Sequence, residues 1–129
     1  MKDRQYLIDS NIIIYHLNGE AAATKFLIEF AGQCFISRLT FIEVLSFELS
    51  KKEEQKIRDL LETFSILDTS EAIALQCIEN RKIRKIKIAD NIIGSTAQVN
   101  NLTLVTRNIK DFTSLEIEIL NIFKSYSTK

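Results

Sequence analysis

Apolar positions along this chain follow two periods. Short runs at Gln5-Tyr6-Leu7-Ile8, Cys34-Phe35-Ile36-Ser37, Ser65-Ile66-Leu67 and Leu102-Thr103-Leu104-Val105 are too brief for helices and read as buried strands. Between them, apolar residues recur at spacings of three and four. Ala23, Phe26, Leu27 and Phe30 form one such stripe, and Ile57, Leu60, Leu61 and Phe64 a second. Ala74, Cys77 and Ile78, with Ile73, form a third. These patterns predict helices over 11–17, 20–31, 40–49, 51–63, 70–85 and 90–99. Glu116–Ile119 alternates charge with isoleucine and reads as a fifth strand, placed at an edge where half-exposed charges are tolerated.

Strands that alternate with helices imply right-handed βαβ units. The expected fold is a three-layer α/β/α sandwich around a four- or five-stranded, mainly parallel sheet. The 129 residues contain no proline and only three glycines, Gly19, Gly32 and Gly94, so no linker divides the chain. One domain over residues 1–129 is expected. The 17 basic residues balance 17 acidic ones, so binding to a polyanion has to come from a local cluster. Cys34, Cys77 and the single His16 are too few for a disulfide scaffold or a structural zinc site. With no long apolar run either, the reading is a soluble, cytoplasmic protein without membrane contact.

Ligands of open parallel sheets bind beyond the carboxyl ends of the strands. Acids gather there along this sequence. Asp9 follows the first strand, Glu43 lies one turn into the helix after the second, and Asp90 opens the helix before the fourth. Asn108 and Asp111 follow the fourth strand directly. Carboxylates brought together repel unless they share a hard cation, and oxygen-only ligation suits Mg²⁺ or Mn²⁺. Capping explains the same residues singly. Asp9 and Asp90 suit N-caps, and Thr40-x-x-Glu43 matches a capping box. The apolar neighbours Phe41, Ile42, Val44 and Leu45 suggest that Glu43 is buried and in need of a partner.

Four motifs occur in order: Leu7-Ile8-Asp9-Ser10-Asn11, Ser37-x-x-Thr40-x-x-Glu43-Val44-Leu45, Asp90-x-Ile92-Ile93-Gly94-Ser95-Thr96-Ala97 and Leu104-Val105-Thr106-Arg107-Asn108-x-x-Asp111-Phe112. Together they resemble the PIN-domain ribonucleases, most closely the VapC toxins of toxin–antitoxin modules, along essentially the whole chain. The resemblance implies a Mg²⁺- or Mn²⁺-dependent endoribonuclease that transfers a phosphoryl group to metal-activated water. It implies metal ligation and catalysis by Asp9, Glu43, Asp90 and a fourth acid after the fourth strand, for which Asp111 is the candidate and Asn108 the competitor. It further implies a supporting hydroxyl at Thr106, an RNA substrate, a homodimer and an antitoxin partner.

Arg81, Lys82, Arg84, Lys85 and Lys87 crowd into the eight residues before Ala89. They read either as a lip for RNA phosphates, chiefly Arg81, Arg84 and Lys85, or as a solvated face with Ile83 and Ile86 turned inward. Arg107 suits a scissile phosphate or a neighbouring carboxylate. Phe26, Phe30, Phe41, Phe47 and Phe64 are expected in core or dimer surface rather than as base-stacking platforms, and the apolar face of 51–63 in core or in an antitoxin groove. Two other readings compete: a PIN fold that binds RNA or protein without cutting, and a receiver-like signalling domain with Asp68 as phosphoacceptor.

Overall fold

In a computed structural model, which describes residues 4–123, strands and helices alternate as the pattern predicts. β1 (Tyr6–Ile8) leads through α1 (Ser10–Leu17) and α2 (Ala21–Glu29) to β2 (Cys34–Ser37). Then come α3 (Arg38–Leu45), α4 (Lys51–Leu61), β3 (Ser65–Leu67), α5 (Glu71–Ile83), α6 (Ile88–Asn100), β4 (Thr103–Val105) and β5 (Ile119–Leu120). The five strands form one sheet in the order β3-β2-β1-β4-β5, and every pairing is parallel. The fold is the expected α/β/α arrangement with a five-stranded parallel sheet.

The two-residue period of the strands creates two cores. Tyr6, Ile8, Cys34, Ile36 and Val105 face one side and pack with Ile12, Ile13, Phe26, Leu27 and Leu61 from α1, α2 and α4. Leu7 and Leu104 face the other side, against Ile93 and Ala97 of α6 and Phe112. Burial on both faces explains why the strands are nearly continuous apolar runs. Both cysteines are buried and free, and burial pushes the Cys34 thiol up to about 11.

Several local expectations change. Helix α3 starts at Arg38, because the Ser37 side chain accepts from the Leu39 amide and caps it. The inward stripe of α5 is Ile73, Cys77 and Asn80, whereas Ala74 and Ile78 face out, Ile78 at 50% exposure. Asn80 was invisible to a hydrophobic pattern, yet it lies on the seam, its Nδ2 3.1 Å from Asn91 Oδ1, 3.0 Å from Ser95 Oγ and 2.8 Å from Gln98 Oε1 of α6, three acceptors that share its two protons. Ile83 is exposed while Ile86 is buried. Strand β5 falls at Ile119–Leu120, later than 116–119. Phe47 lies outside the core, at 55% exposure.

Candidate active site

Strands β1 and β4 are neighbours, but the chain leaves them in opposite directions. From β1 it runs outward through β2 to β3, then crosses back to β4 and β5. A crevice opens at such a switch in strand order. Asp9 stands at its floor as the residue after β1, its amide bonded to Val105 O at 3.0 Å. Its Oδ1 accepts from the Ser10 amide at 2.8 Å, and its Oδ2 accepts from Thr106 Oγ1 at 2.8 Å. Thr106 Oγ1 in turn accepts from the Asn108 amide at 3.0 Å. The hydroxyl thus ties the end of β1 to the loop after β4. Asp9 is also the N-cap of α1, as its capping reading expected.

For Glu43 the capping reading fails. The cap of α3 is Ser37, and Thr40 and Glu43 lie inside the helix. Thr40 is fully buried beside Ser10, with 2.9 Å between the hydroxyls. Ser10 Oγ also lies 2.5 Å from Glu43 Oε1. Ser10 has one proton to give, and the carboxylate is the stronger acceptor. Ser10 therefore donates to Glu43 and receives from Thr40. Glu43 itself is exposed rather than buried, a correction to the expected burial. Its neighbour Ile42 is likewise 53% exposed, so this face of α3 looks outward over the crevice.

Asp90 sits in the first turn of α6, whose N-cap is Lys87, so it is not a cap either. Across from it, the loop after β4 makes a short 3-10 turn at Ile109–Asp111. Gly94, one turn along α6 from Asp90, lets that loop approach: a Cβ there would lie 2.3 Å from Leu115 Cδ1. Asp9, Glu43, Asp90 and Asn108 line one cleft of about 290 Å³, with Ser10, Asn11, Ile14, Phe47, Ala89 and Ile93 completing its wall. Asp111 stands exposed at the margin, near enough for its charge to act on Asp90.

The electrostatics mark the cleft as short of positive charge. Burial pushes the Asp9 carboxyl up to about 6 and outweighs its hydrogen bonds to Thr106 and Ser10; the charges of Asp90 and Glu43 push the same way. Asp90 is also raised, by burial first and then by Asp111, with Lys87 opposing. Asn11 donates weakly to Asp9 Oδ2 (3.4 Å) and Thr106 Oγ1 (3.3 Å), while its Oδ1 is buried with no partner among the described residues. An orphan oxygen beside unneutralised carboxylates is a donor set for a hard cation. Among the described residues, no three His, Cys, Asp or Glu side chains stand close enough to form a ready-made metal cage. The acids face the cleft as separated charges, all-oxygen donors of the kind that suits a hard cation.

The remaining candidates lie around this centre. Arg81 lies in the last turn of α5 and Arg84 is its C-cap; both are exposed, as is Lys85 in the connection that leads into α6 and Asp90. Arg107 does not line the cleft; its guanidinium lies over Phe123 at 4.4 Å and Tyr15 at 5.0 Å. His16 Nδ1 is 2.7 Å from Thr24 Oγ1, tying α1 to α2. Asp68 accepts from Arg38 Nε at 2.6 Å on the surface, after the edge strand β3 and outside the cleft of Asp9. Sequence reasoning missed Ser10 and Asn11 as cleft residues and Thr40 as a buried support. Their one visible signal was that polar residues directly follow Asp9 or share a motif with Glu43.

A family model, that of the PIN domain, matches residues 6–117. Ribonuclease VapC10 of Mycobacterium tuberculosis is 29% identical over 117 residues, covering 85% of this chain and 87% of that protein. Among solved structures, a toxin-antitoxin complex from Klebsiella pneumoniae aligns with TM-score 0.82 and 35% identity over 92% of this chain and 98% of its own. VapBC2 from Rickettsia felis, bound to a DNA fragment from its promoter, aligns with TM-score 0.77 and 28% identity over 90% and 97%.

Proposed function

The chain belongs to the PIN-domain family, and from that premise we propose that it is a divalent-metal-dependent endoribonuclease, the toxin of a toxin–antitoxin pair. The observation that carries this reading is one cleft lined by Asp9, Glu43 and Asp90, in which burial and mutual repulsion push the Asp9 carboxyl up to about 6. The similarity to Ribonuclease VapC10 and to the Klebsiella pneumoniae complex supports it.

Asp9, Glu43 and Asp90 would hold Mg²⁺ or Mn²⁺, with Asp111 as the fourth acid. Such an ion supplies activation of water and charge neutralisation on a phosphodiester. The chain's own residues supply order. Thr106 and the Ser10 amide each hold one Asp9 oxygen, so the carboxylate has little rotational freedom. Ser10 fixes Glu43, whose exposed position would otherwise leave its long side chain mobile. Asn108, uncharged, is suited to a phosphate oxygen or a water rather than to charge neutralisation. Arg81, Arg84 and Lys85 would receive the flanking phosphates. Arg107 would join them only by leaving its aromatic partners.

The partners follow from the same reading. An antitoxin protein would occupy the acidic cleft in the resting complex. The exposed Leu75 and Ile78, one turn apart on α5, support a homodimer. Among the described residues no helix is long and apolar enough to cross a membrane. A fold that binds without cutting is the second reading, favoured by the neutral Asn108 in the cleft wall. One experiment separates the two. The purified protein is incubated with RNA in EDTA, then with Mg²⁺ or Mn²⁺ restored. Cleavage that disappears and returns supports the nuclease. RNA binding with no cleavage under any metal would overturn it.

A further inference from the structure

We propose that Phe47 is a stacking platform for the nucleobase beside the scissile phosphate. The inference rests on the ribonuclease reading and adds to it a residue that selects how the substrate sits. Phe47 follows the Ser46 C-cap of α3, four residues after Glu43, and lines the same cleft as Asp9, Glu43 and Asp90. The apolar part of that wall consists of Ile14, Phe47, Ala89 and Ile93. Ile93 is buried, Ile14 and Ala89 are half-buried, and Phe47 alone of the four is open, at 55% exposure.

A large ring kept in water is costly, and this one stands where a substrate must lie. The reacting phosphate has to reach the carboxylates, and the cleft around them holds only about 290 Å³. A nucleotide whose phosphate meets the acids therefore brings its base to the apolar wall, where an aromatic face is the exposed surface. Aromatic stacking tolerates any base and requires that the base be unpaired. The cleft is thus two-sided in chemistry: charge for the phosphate, a flat apolar ring for the base. A protein segment covering Phe47 is the competing occupant, and the test includes it.

The test uses a short single-stranded RNA with one cleavage site, and a set in which each base in turn is replaced by an abasic ribose. Wild type, Phe47→Ala and Phe47→Trp are compared for kcat/KM in Mn²⁺ and for RNA affinity by fluorescence anisotropy in Ca²⁺. Because Phe47 is exposed, thermal melting of the variants should match wild type. The expected result is one abasic position beside the cleaved bond at which wild type loses roughly tenfold in affinity and in kcat/KM. Phe47→Ala should lose a similar factor on intact RNA, show no further loss at that position, and be rescued by Phe47→Trp. An abasic penalty that persists in Phe47→Ala overturns the proposal. So does a Phe47→Ala variant that binds and cuts RNA normally, which would leave the exposed ring to a protein segment instead. Were no RNA cleaved at all, the affinity pattern would still decide the stacking role, and only the nuclease reading would fall.

Discussion

The cleft and the α5–α6 seam both bury polar side chains, and they treat them in opposite ways. In the seam, Asn80 meets Asn91, Ser95 and Gln98, the Asn91 amide donates to Cys77 O at 2.9 Å, and Gln76 donates to Asn80 Oδ1 at 3.1 Å. Neutral donors and acceptors there satisfy one another. In the cleft, carboxylates of one sign share a crevice, one of them largely desolvated, and Asn11 Oδ1 has no partner among the described residues. A satisfied network specifies how two helices dock; an unsatisfied one of like charge costs stability until something arrives. The contrast separates a neutral, mutually satisfied network from a group of like charges that is not.

The sharpest way to break the comparison is Asp9→Asn. As a ligand position it should reduce metal-dependent cleavage by at least about a hundredfold, since even residues supporting a metal ligand cost 10–100-fold. Stability should move the other way. The folded-state value of about 6 exceeds the usual 3.8, so the folded protein holds this proton more tightly than the unfolded chain. That contribution is fully present below pH about 3.8 and is lost as pH rises through about 6. Above that window the charged Asp9 is a net cost, up to about 3 kcal/mol at ~1.4 kcal/mol per pKa unit. Asp9→Asn should therefore melt higher than wild type at pH 8 without divalent metal and show no such gain at pH 4. Denaturant titrations at the two values check this, and a variant that melts lower at pH 8 would make Asp9 a structural cap.

Asn80→Ala is the counterpart in the seam. It strips one buried amide and leaves partners on α6 unsatisfied, at a cost of about 2–3 kcal/mol. Cleavage per folded molecule should change little, because the charges of the cleft are untouched. If Asn80→Ala instead abolished activity at a temperature where it is folded, the seam would be steering Asp90 through the adjacent Asn91. Unfolding curves and specific activity on one preparation distinguish these outcomes.

How much of each region the sequence disclosed follows from the same contrast. The layers were legible because the strands and most helices bury apolar residues with clean periods, as Tyr6, Leu7 and Ile8 do on alternate faces. The positions of Asp9, Asn108 and Asp111 were legible because Asp9 directly follows β1 and the other two lie in the loop after β4, and strand ends are readable. The seam was not, since Asn80, Asn91 and Ser95 look like solvent-facing residues until a partner helix is placed against them. Glu43 misled in a different way. Apolar neighbours implied burial, but α3 lies at the crevice rim and exposes Ile42 and Glu43 alike. Ser10 and Thr40 were hidden because their pairing spans 30 residues of chain, a contact that no local pattern encodes.

A finer test within the cleft concerns Ser10, which is neutral yet bonded to a charge. Ser10→Ala removes the donor to Glu43 and leaves the buried Thr40 hydroxyl without its neighbour. The Mn²⁺ requirement should rise about tenfold, as for other supports of metal ligands. In a Glu43→Gln background the same change should add little, because the oriented charge is already gone. Direct Mn²⁺ titration by calorimetry reads the effect without cleavage. Equal losses in both backgrounds would show that Ser10 acts on something other than Glu43.

The smallest expected effect separates Asp111 from Asn108. Asn108 lines the cleft, but it is neutral, and its amide is already bonded to Thr106 Oγ1. Asp111 is exposed at the edge, yet its charge is the largest of the neighbouring charges that raise Asp90. Coulombic action at the margin of a solvated cleft is screened by salt, so Asp111→Ala should raise the metal requirement only a few-fold. That shift should shrink as ionic strength increases. On the proposed reading Asn108→Ala would remove a contact to substrate rather than a charge, so it should raise KM for RNA and leave the metal requirement unchanged. Asn108→Asp adds a fourth carboxylate inside the cleft and should lower the metal concentration needed. Metal titrations of the three variants at two salt concentrations rank the positions. A metal requirement that moves with Asn108→Ala and ignores Asp111→Ala would transfer the fourth position to Asn108, and with it would go the argument that charge outweighs proximity at this margin.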